Sequence, residues 1–260
     1  MGSHAQAPPL GNPPVGIEAL PKGAMLGIFF HQFGHMVISE LGLPSTGPEE
    51  SAVDELSTIL LAEVMIRVPQ SQRESYAEII MGSALFGKFS AEEARTQGKG
   101  IPFHAEHAPD ERRFADILCL AAGADPFRFM LTAAEAGIAE DRLRRCAEDY
   151  EKRRAAWEGL MTRATGGRTS SGTLTLQVVP SRTVAYRRFE QAYAQGGDFD
   201  QMLELFAAAA SLPRDITVVV KDCGVANAFW SPHEAGIVLC YEMLDHVVQT
   251  FTRAVKRGPN

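Results

Sequence analysis

The sequence lacks any apolar run approaching the ~18 residues that a membrane-crossing helix needs. Its longest candidates, Ala24–Phe30 and Ile59–Ala62, are far too short. It lacks an excess of basic residues: 25 Lys and Arg stand against 32 Asp and Glu, a formal charge of -7. That balance argues against nucleic acid or an anionic membrane as a partner, since both favour a basic face. There are only four cysteines and no CxxC pair, so a structural zinc site built on paired thiolates is not expected. Strand signals are few before about residue 160. What is present is an ordinary globular composition, 45% hydrophobic and 22% charged, in 260 residues. That length suits one large domain or two small ones.

Met1–His4 reads as the scar of a cleaved affinity tag and Ala5–Pro14 as a disordered Pro-rich start, so residues 1–14 are set aside from the fold. Such a start is common just after a removed signal peptide. The cysteines fall in local pairs, Cys119 with Cys146 around a helical stretch and Cys223 with Cys240 around a hairpin. They read either as two disulfides of an exported protein, periplasmic or secreted, or as four reduced buried thiols; spacing alone does not choose.

Residues 15–164 carry helical periodicity, 165–172 (TGGRTSSG) read as a linker, and 173–260 bring the strands. The apolar stretch Lys22–Leu41 predicts a buried helix that ends at Gly42-Leu43-Pro44. Ser45–Glu50 supplies a cap, an early Pro and acids for a second helix reaching about Ile66. Further helices are expected at Gln72–Phe86, Asp110–Ala121, Pro126–Glu135 and Glu140–Thr162, with Gly87–Ala108 as a loop. After the linker, Thr173–Val179 and Ile216–Lys221 read as strands, and Ala185–Ala194 and Asp200–Ala210 as helices. Ala226–Trp230 and Ile237–Tyr241 look like the arms of a hairpin, followed by a last helix at Met243–Arg257.

His31-Gln32-Phe33-Gly34-His35 places two imidazoles one helical turn apart on one face. That is a suitable pair for Zn²⁺, which also needs a third protein ligand and an open position. The spacing occurs often by chance, and the segment that follows adds weight to it. Glu50 and Asp54 lie four apart on the next helix, supplying one carboxylate for the metal and one to hydrogen-bond a ligand histidine and fix its tautomer. Gly34 allows the two helices to approach. Glu49 and Glu55 read as solvated acids, favourable to the helix dipole.

With these residues in view, FFHQFGHMVISELGLPSTGPEESAVDELSTILL resembles the HELGHALI…LP..G.EEDAAD signature of a family of bacterial metallopeptidases of unassigned substrate, and more loosely the thermolysin-like gluzincins. HAPDERRFADILCLAAGADP (107–126) and CGVANAFWSPHEAGIVLCYEML (223–244) resemble the same family's helical part and its NAFY…CYE motif. The resemblance implies an α+β zincin, mostly helical, with a small sheet whose edge strand borders the zinc cleft. It implies His31, His35 and Glu50 as zinc ligands and Asp54 as the carboxylate behind a ligand. The implied activity is hydrolysis of peptide or protein substrates by zinc-activated water, and the resemblance favours bridged cysteines. His107 becomes a candidate to stabilise the oxyanion, against the reading of a solvated loop histidine. Tyr241 is a second such candidate, against core packing. Asn227-Ala228 resembles the Asn-Ala edge strand of neprilysin-like peptidases, where a substrate pairs with the backbone; the alternative is that Asn227 is a turn residue. Trp157 and Trp230 read as packing anchors, and His104, His233 and His246 as structural or surface residues.

Two departures stand out. Gln32 occupies the position of the catalytic glutamate in HExxH, and an amide cannot accept the proton that the glutamate removes from the attacking water. The chain therefore reads as an inactive form, through either a deliberate Glu→Gln substitution or a natural pseudopeptidase that binds peptides without cleaving them. The second departure is order: the NAFY…CYE segment precedes the zinc helices in the resembled family and follows them here, the pattern of a circular permutation joined at Thr165–Gly172.

Overall fold

The apolar stretch around the two histidines forms α1 (Leu20–Leu41), entered through Pro21 and closed by Gly42 in the left-handed conformation. The computed structural model describes residues 19–44, 48–96, 110–167, 171–194 and 197–257. The second helix, α2 (Glu49–Arg67), begins directly after Pro48 with Glu49 and Glu50 in its first turn. The helical part continues with α3 (Gln70–Thr96), α4 (Asp110–Ala124), α5 (Pro126–Glu135), α6 (Glu140–Leu143) and α7 (Cys146–Thr165). Then come β1 (Leu174–Val178), a 3-10 turn, α8 (Arg187–Ala194), α9 (Gly197–Ala210), β2 (Ile216–Lys221), β3 (Ala228–Ser231), β4 (Gly236–Cys240) and α10 (Tyr241–Arg257). The protein is thus mostly helical with a small mixed sheet, the class that the sequence led us to expect.

Three elements depart from expectation. The loop expected from Gly87 is helix as far as Thr96. Contacts from the far end of the chain hold this extension: Phe89 packs edge-on against Phe251, and Glu93 pairs with Arg253. The single helix expected over Glu140–Thr162 is broken at Arg144 and Arg145, and α7 starts at Cys146. Tyr241, expected at the end of a strand, is the first residue of α10.

The sheet runs β1-β2-β4-β3, with β1, β2 and β4 parallel and β3 antiparallel to β4 at the edge. Ile216, Val218 and Val220 on β2 are fully buried, alternate residues that turn one face of the sheet to the helices. α1 is joined to α9 through aromatic contacts, Phe29 with Phe199 and Phe30 with Phe206. α9 in turn packs on β1, while β3 and β4 lie against α1. Helices and sheet therefore share one hydrophobic core. Close helix contact depends on missing side chains: a Cβ on Gly82 of α3 would fall 2.4 Å from the Ala24 nitrogen of α1.

Candidate metal centre

The site arises where α1 crosses α2. A Cβ on Gly34 would lie 2.9 Å from Val53 Cγ1 and 3.2 Å from the Val53 carbonyl oxygen, so glycine sets the closeness of the crossing. On α1, Gly34 lies between His31 and His35; on α2, Val53 lies between Glu50 and Asp54. The contact thereby brings the two pairs of polar residues face to face.

His31 Nε2 is 3.1 Å from Glu50 Oε2, and His35 Nε2 is 3.3 Å from Glu50 Oε1. One ligand atom from each of the three residues lies within 4.8 Å of the others. The other nitrogen of each ring is also engaged. His31 Nδ1 lies 2.9 Å from Asp54 Oδ1, and His35 Nδ1 lies 2.8 Å from Glu49 Oε1. Behind Asp54, Arg113 donates from Nε to Oδ2 at 2.5 Å and from Nη2 to Oδ1 at 2.8 Å. Each imidazole thus turns Nε2 toward Glu50 and Nδ1 toward an anion.

Burial opposes charge on both rings, yet the hydrogen bonds outweigh it. Those of Asp54 and Glu50 raise the pKa of His31, and those of Glu50 and Glu49 raise that of His35. The Glu50 carboxyl, despite its burial, is held well below the ordinary carboxylate range by the two imidazoles. Asp54 is lowered in the same way, against burial, by His31 and Arg113. These are the electrostatics of a site that favours positive charge at its centre.

The donor set fits a metal ion. Tetrahedral zinc with ligand bonds of about 2.0–2.2 Å separates neighbouring ligand atoms by roughly 3.3–3.6 Å. The Nε2–carboxylate separations of 3.1 and 3.3 Å are close to that edge length. Neutral imidazole nitrogens plus one carboxylate, each histidine backed by a carboxylate, are a donor set suited to Zn²⁺. A cavity of about 320 Å³ elsewhere along α1, beneath Met25 and Leu26, includes none of these residues. The convergence of donors marks the site.

A family model described as "Putative metallopeptidase" matches residues 17–161 and 179–259. The chain belongs to this family, DUF4344. No curated protein and no solved structure matches the chain. Membership in DUF4344 implies a metal, and it leaves 162–178, around the linker, between the two matched segments.

The other candidate residues of this DUF4344 chain are spread over α1, the β3 edge, α7 and α10. Gln32 is half-buried on α1. Asn227 is exposed immediately before β3; its Oδ1 accepts from Ala228 N at 2.9 Å and its carbonyl from Cys240 N at 3.2 Å. The strand register then turns the main-chain groups of Phe229 and Ser231 toward β4 and those of Ala228 and Trp230 toward the open edge. Tyr241 is fully buried, and its hydroxyl donates to the Val179 carbonyl at 2.9 Å. These are the contacts expected of the core-packing alternative. His107 and His104 lie outside the described residues. Exposed His233 and the His246 ring, edge-on to Phe86, stand apart from the site. Trp157 packs as an anchor and donates to Glu55 at 2.8 Å.

Both cysteine pairs are bridged, Cys119 to Cys146 and Cys223 to Cys240. A second grouping of possible ligands, Cys223, Cys240 and Glu242, is therefore a disulfide beside a carboxylate. Glu242 instead accepts the backbone N–H groups of Cys223 and Gly224. Sequence reasoning missed the contacts of three residues. Glu49 and Glu55 read as solvated acids, yet Glu49 meets His35, and Glu55 accepts from Trp157 and pairs with Arg153. Arg113 lies within a stretch quoted for its family likeness, and nothing in its spacing points to Asp54.

Proposed function

We propose that this chain is a zincin, a zinc-dependent peptidase scaffold that hydrolyses peptide bonds when glutamate occupies position 32 and binds substrate without turnover when Gln32 does. The observation that carries this reading is the convergence of His31 Nε2, His35 Nε2 and the Glu50 carboxylate, with each Nδ1 on an acceptor. A bound zinc ion would supply Lewis-acid activation of water and polarisation of the scissile carbonyl. The chain's own residues do the rest. His31, His35 and Glu50 bind, and Asp54 backed by Arg113 keeps His31 in its ligating tautomer. A glutamate at 32 takes a proton from the attacking water and delivers it to the leaving amine; Gln32 has no basic oxygen for that task.

The open edge of β3 supports a substrate mode. A peptide laid along it would meet the outward main-chain groups of Ala228 and Trp230, which is recognition by strand addition. Asn227 stands at the entry to that edge and its amide would be released from Ala228 N to meet the peptide. The two disulfides support folding in an oxidising compartment. The late position of every strand among the described residues supports a circular permutation joined at 165–172, and the shared core supports helices and sheet forming one catalytic domain.

The test is Gln32→Glu. Metal-loaded, it should cleave members of a broad peptide panel; a chelator should abolish the cleavage, and so should adding His31→Ala or Glu50→Ala. Failure of the metal-loaded Gln32→Glu protein across the panel rejects the peptidase reading. That result would favour a second one, for which Gln32 itself speaks: a non-catalytic module that holds peptides in the cleft and along the edge strand.

A further inference from the structure

The two histidines of the metal centre are held in unlike ways. Behind His31, Asp54 is only 12% exposed at its side chain and is itself gripped by Arg113. Behind His35, Glu49 is 57% exposed. An acid in the first turn of a helix needs no partner to be favourable, since the helix dipole stabilises it in any rotamer. Glu49 nevertheless reaches across to the other helix and takes up a 2.8 Å contact with His35 Nδ1.

Consecutive helical residues diverge by about 100°. Glu49 and Glu50 use that divergence to bracket one ring: Glu49 meets Nδ1 and Glu50 faces Nε2. A neutral imidazole carries one proton. If Nε2 is to keep its lone pair for a metal, the proton must sit on Nδ1, and only an acceptor there stabilises that tautomer. We infer that Glu49 is the positioning residue of His35, holding its Nε2 toward the shared centre, and that as the exposed carboxylate of the pair it sets how tightly a divalent cation is retained. This rests on the metal reading proposed above and gives the acceptor behind His35 a measurable part in holding the ion.

The experiment compares the full chain with Glu49→Ala and Glu49→Gln, measuring Zn²⁺ affinity and release by competition with a chromophoric chelator. Glu49→Ala should weaken zinc binding by about 10- to 100-fold, the usual cost of losing the partner of a ligating histidine, with most of the change in the dissociation rate. Glu49→Gln retains an amide oxygen that can accept from Nδ1, so it should recover most of the loss. The denaturation midpoints of metal-free Glu49→Ala and Glu49→Gln should lie slightly below the parent's and close to one another, because both lose the charge that favours the helix start. The Co²⁺-loaded spectrum should shift for Glu49→Ala and hold for Glu49→Gln. Unchanged zinc affinity in Glu49→Ala, or a Glu49→Gln protein no better than Glu49→Ala, overturns the inference while leaving the metal centre standing. A parent chain that takes up no zinc sinks both.

Discussion

Arg113 and His31 share Asp54: the guanidinium bonds both carboxylate oxygens, and the imidazole Nδ1 meets Oδ1 at 2.9 Å. The charge of a nearly buried aspartate is thereby matched from both sides, by a permanent cation and by a ring. Arg113 thereby fixes the carboxylate that faces His31.

Removal of Arg113 should therefore cost more than a surface ion pair. In Arg113→Ala the carboxylate loses its permanent counter-charge, and breaking a buried pair in this way costs about 3 kcal/mol. Urea unfolding of the metal-free protein measures it. Arg113→Lys should recover only part, since an ammonium cannot reproduce the two parallel bonds. A loss below about 1 kcal/mol, the range of an exposed pair, would show that Asp54 does not depend on Arg113.

Gly34→Ala should push α1 and α2 apart. Alanine favours helix by up to about 1 kcal/mol over glycine, but the new Cβ would stand 2.9 Å from Val53 Cγ1, and overpacking costs about 1–3 kcal/mol. The net effect should be a loss of stability together with weaker zinc binding, because the ligands lie on either side of the contact. Val53→Ala added to Gly34→Ala should restore part of the zinc affinity. A Gly34→Ala protein that binds zinc as the parent does would refute this account of the crossing.

Tyr241→Phe should leave catalysis alone and change stability. In the Gln32→Glu background, kcat and KM should remain those of the parent, whereas loss of the buried bond to Val179 should cost about 1 kcal/mol. Burial raises the Tyr241 hydroxyl to about 12, above the value of about 10 for an unfolded tyrosine. Its contribution is complete below pH 10 and fades as pH rises toward 12, because the unfolded chain then ionises more readily. Relative to Tyr241→Phe, the parent should lose stability across that interval in unfolding series at fixed pH. A fall in kcat without loss of stability would place the residue in the active site.

Reduction of the disulfides should be felt separately. Cys119–Cys146 spans 27 residues and Cys223–Cys240 spans 17; loop closure assigns each roughly 3–4 kcal/mol. Paired Cys→Ala variants, followed by thermal unfolding, test this. Removing the first pair should loosen α4 against α7. Removing the second should weaken peptide binding in the Gln32 protein, since it frees the loop leading into β3, and should leave zinc affinity unchanged.

Legibility in the sequence followed locality. The bounds of α5 and β2 agree residue for residue with the expected Pro126–Glu135 and Ile216–Lys221, because Pro126 and the β-branched run Ile216–Val220 act within their own segments. The His31/His35 and Glu50/Asp54 pairs were visible because helical spacing is local. Arg113 was not, since its partner lies 59 residues away and only packing of α4 on α2 brings them together. The extension of α3 escaped for the same reason: Gly87 and Ser90 read as loop, and the residues that hold the helix there, Phe251 and Arg253, belong to the last helix. Glu49 was misjudged because an acid at a helix start has an adequate local explanation.

The hydrogen bond from Ala228 N to the Asn227 side chain has an implication for solubility. A bare sheet margin invites neighbouring molecules to stack on it. Here the margin is four residues long, and its first outward donor is already satisfied within its own chain. A second molecule would find too short a ladder to adhere, whereas a flexible peptide able to displace one amide would not be turned away.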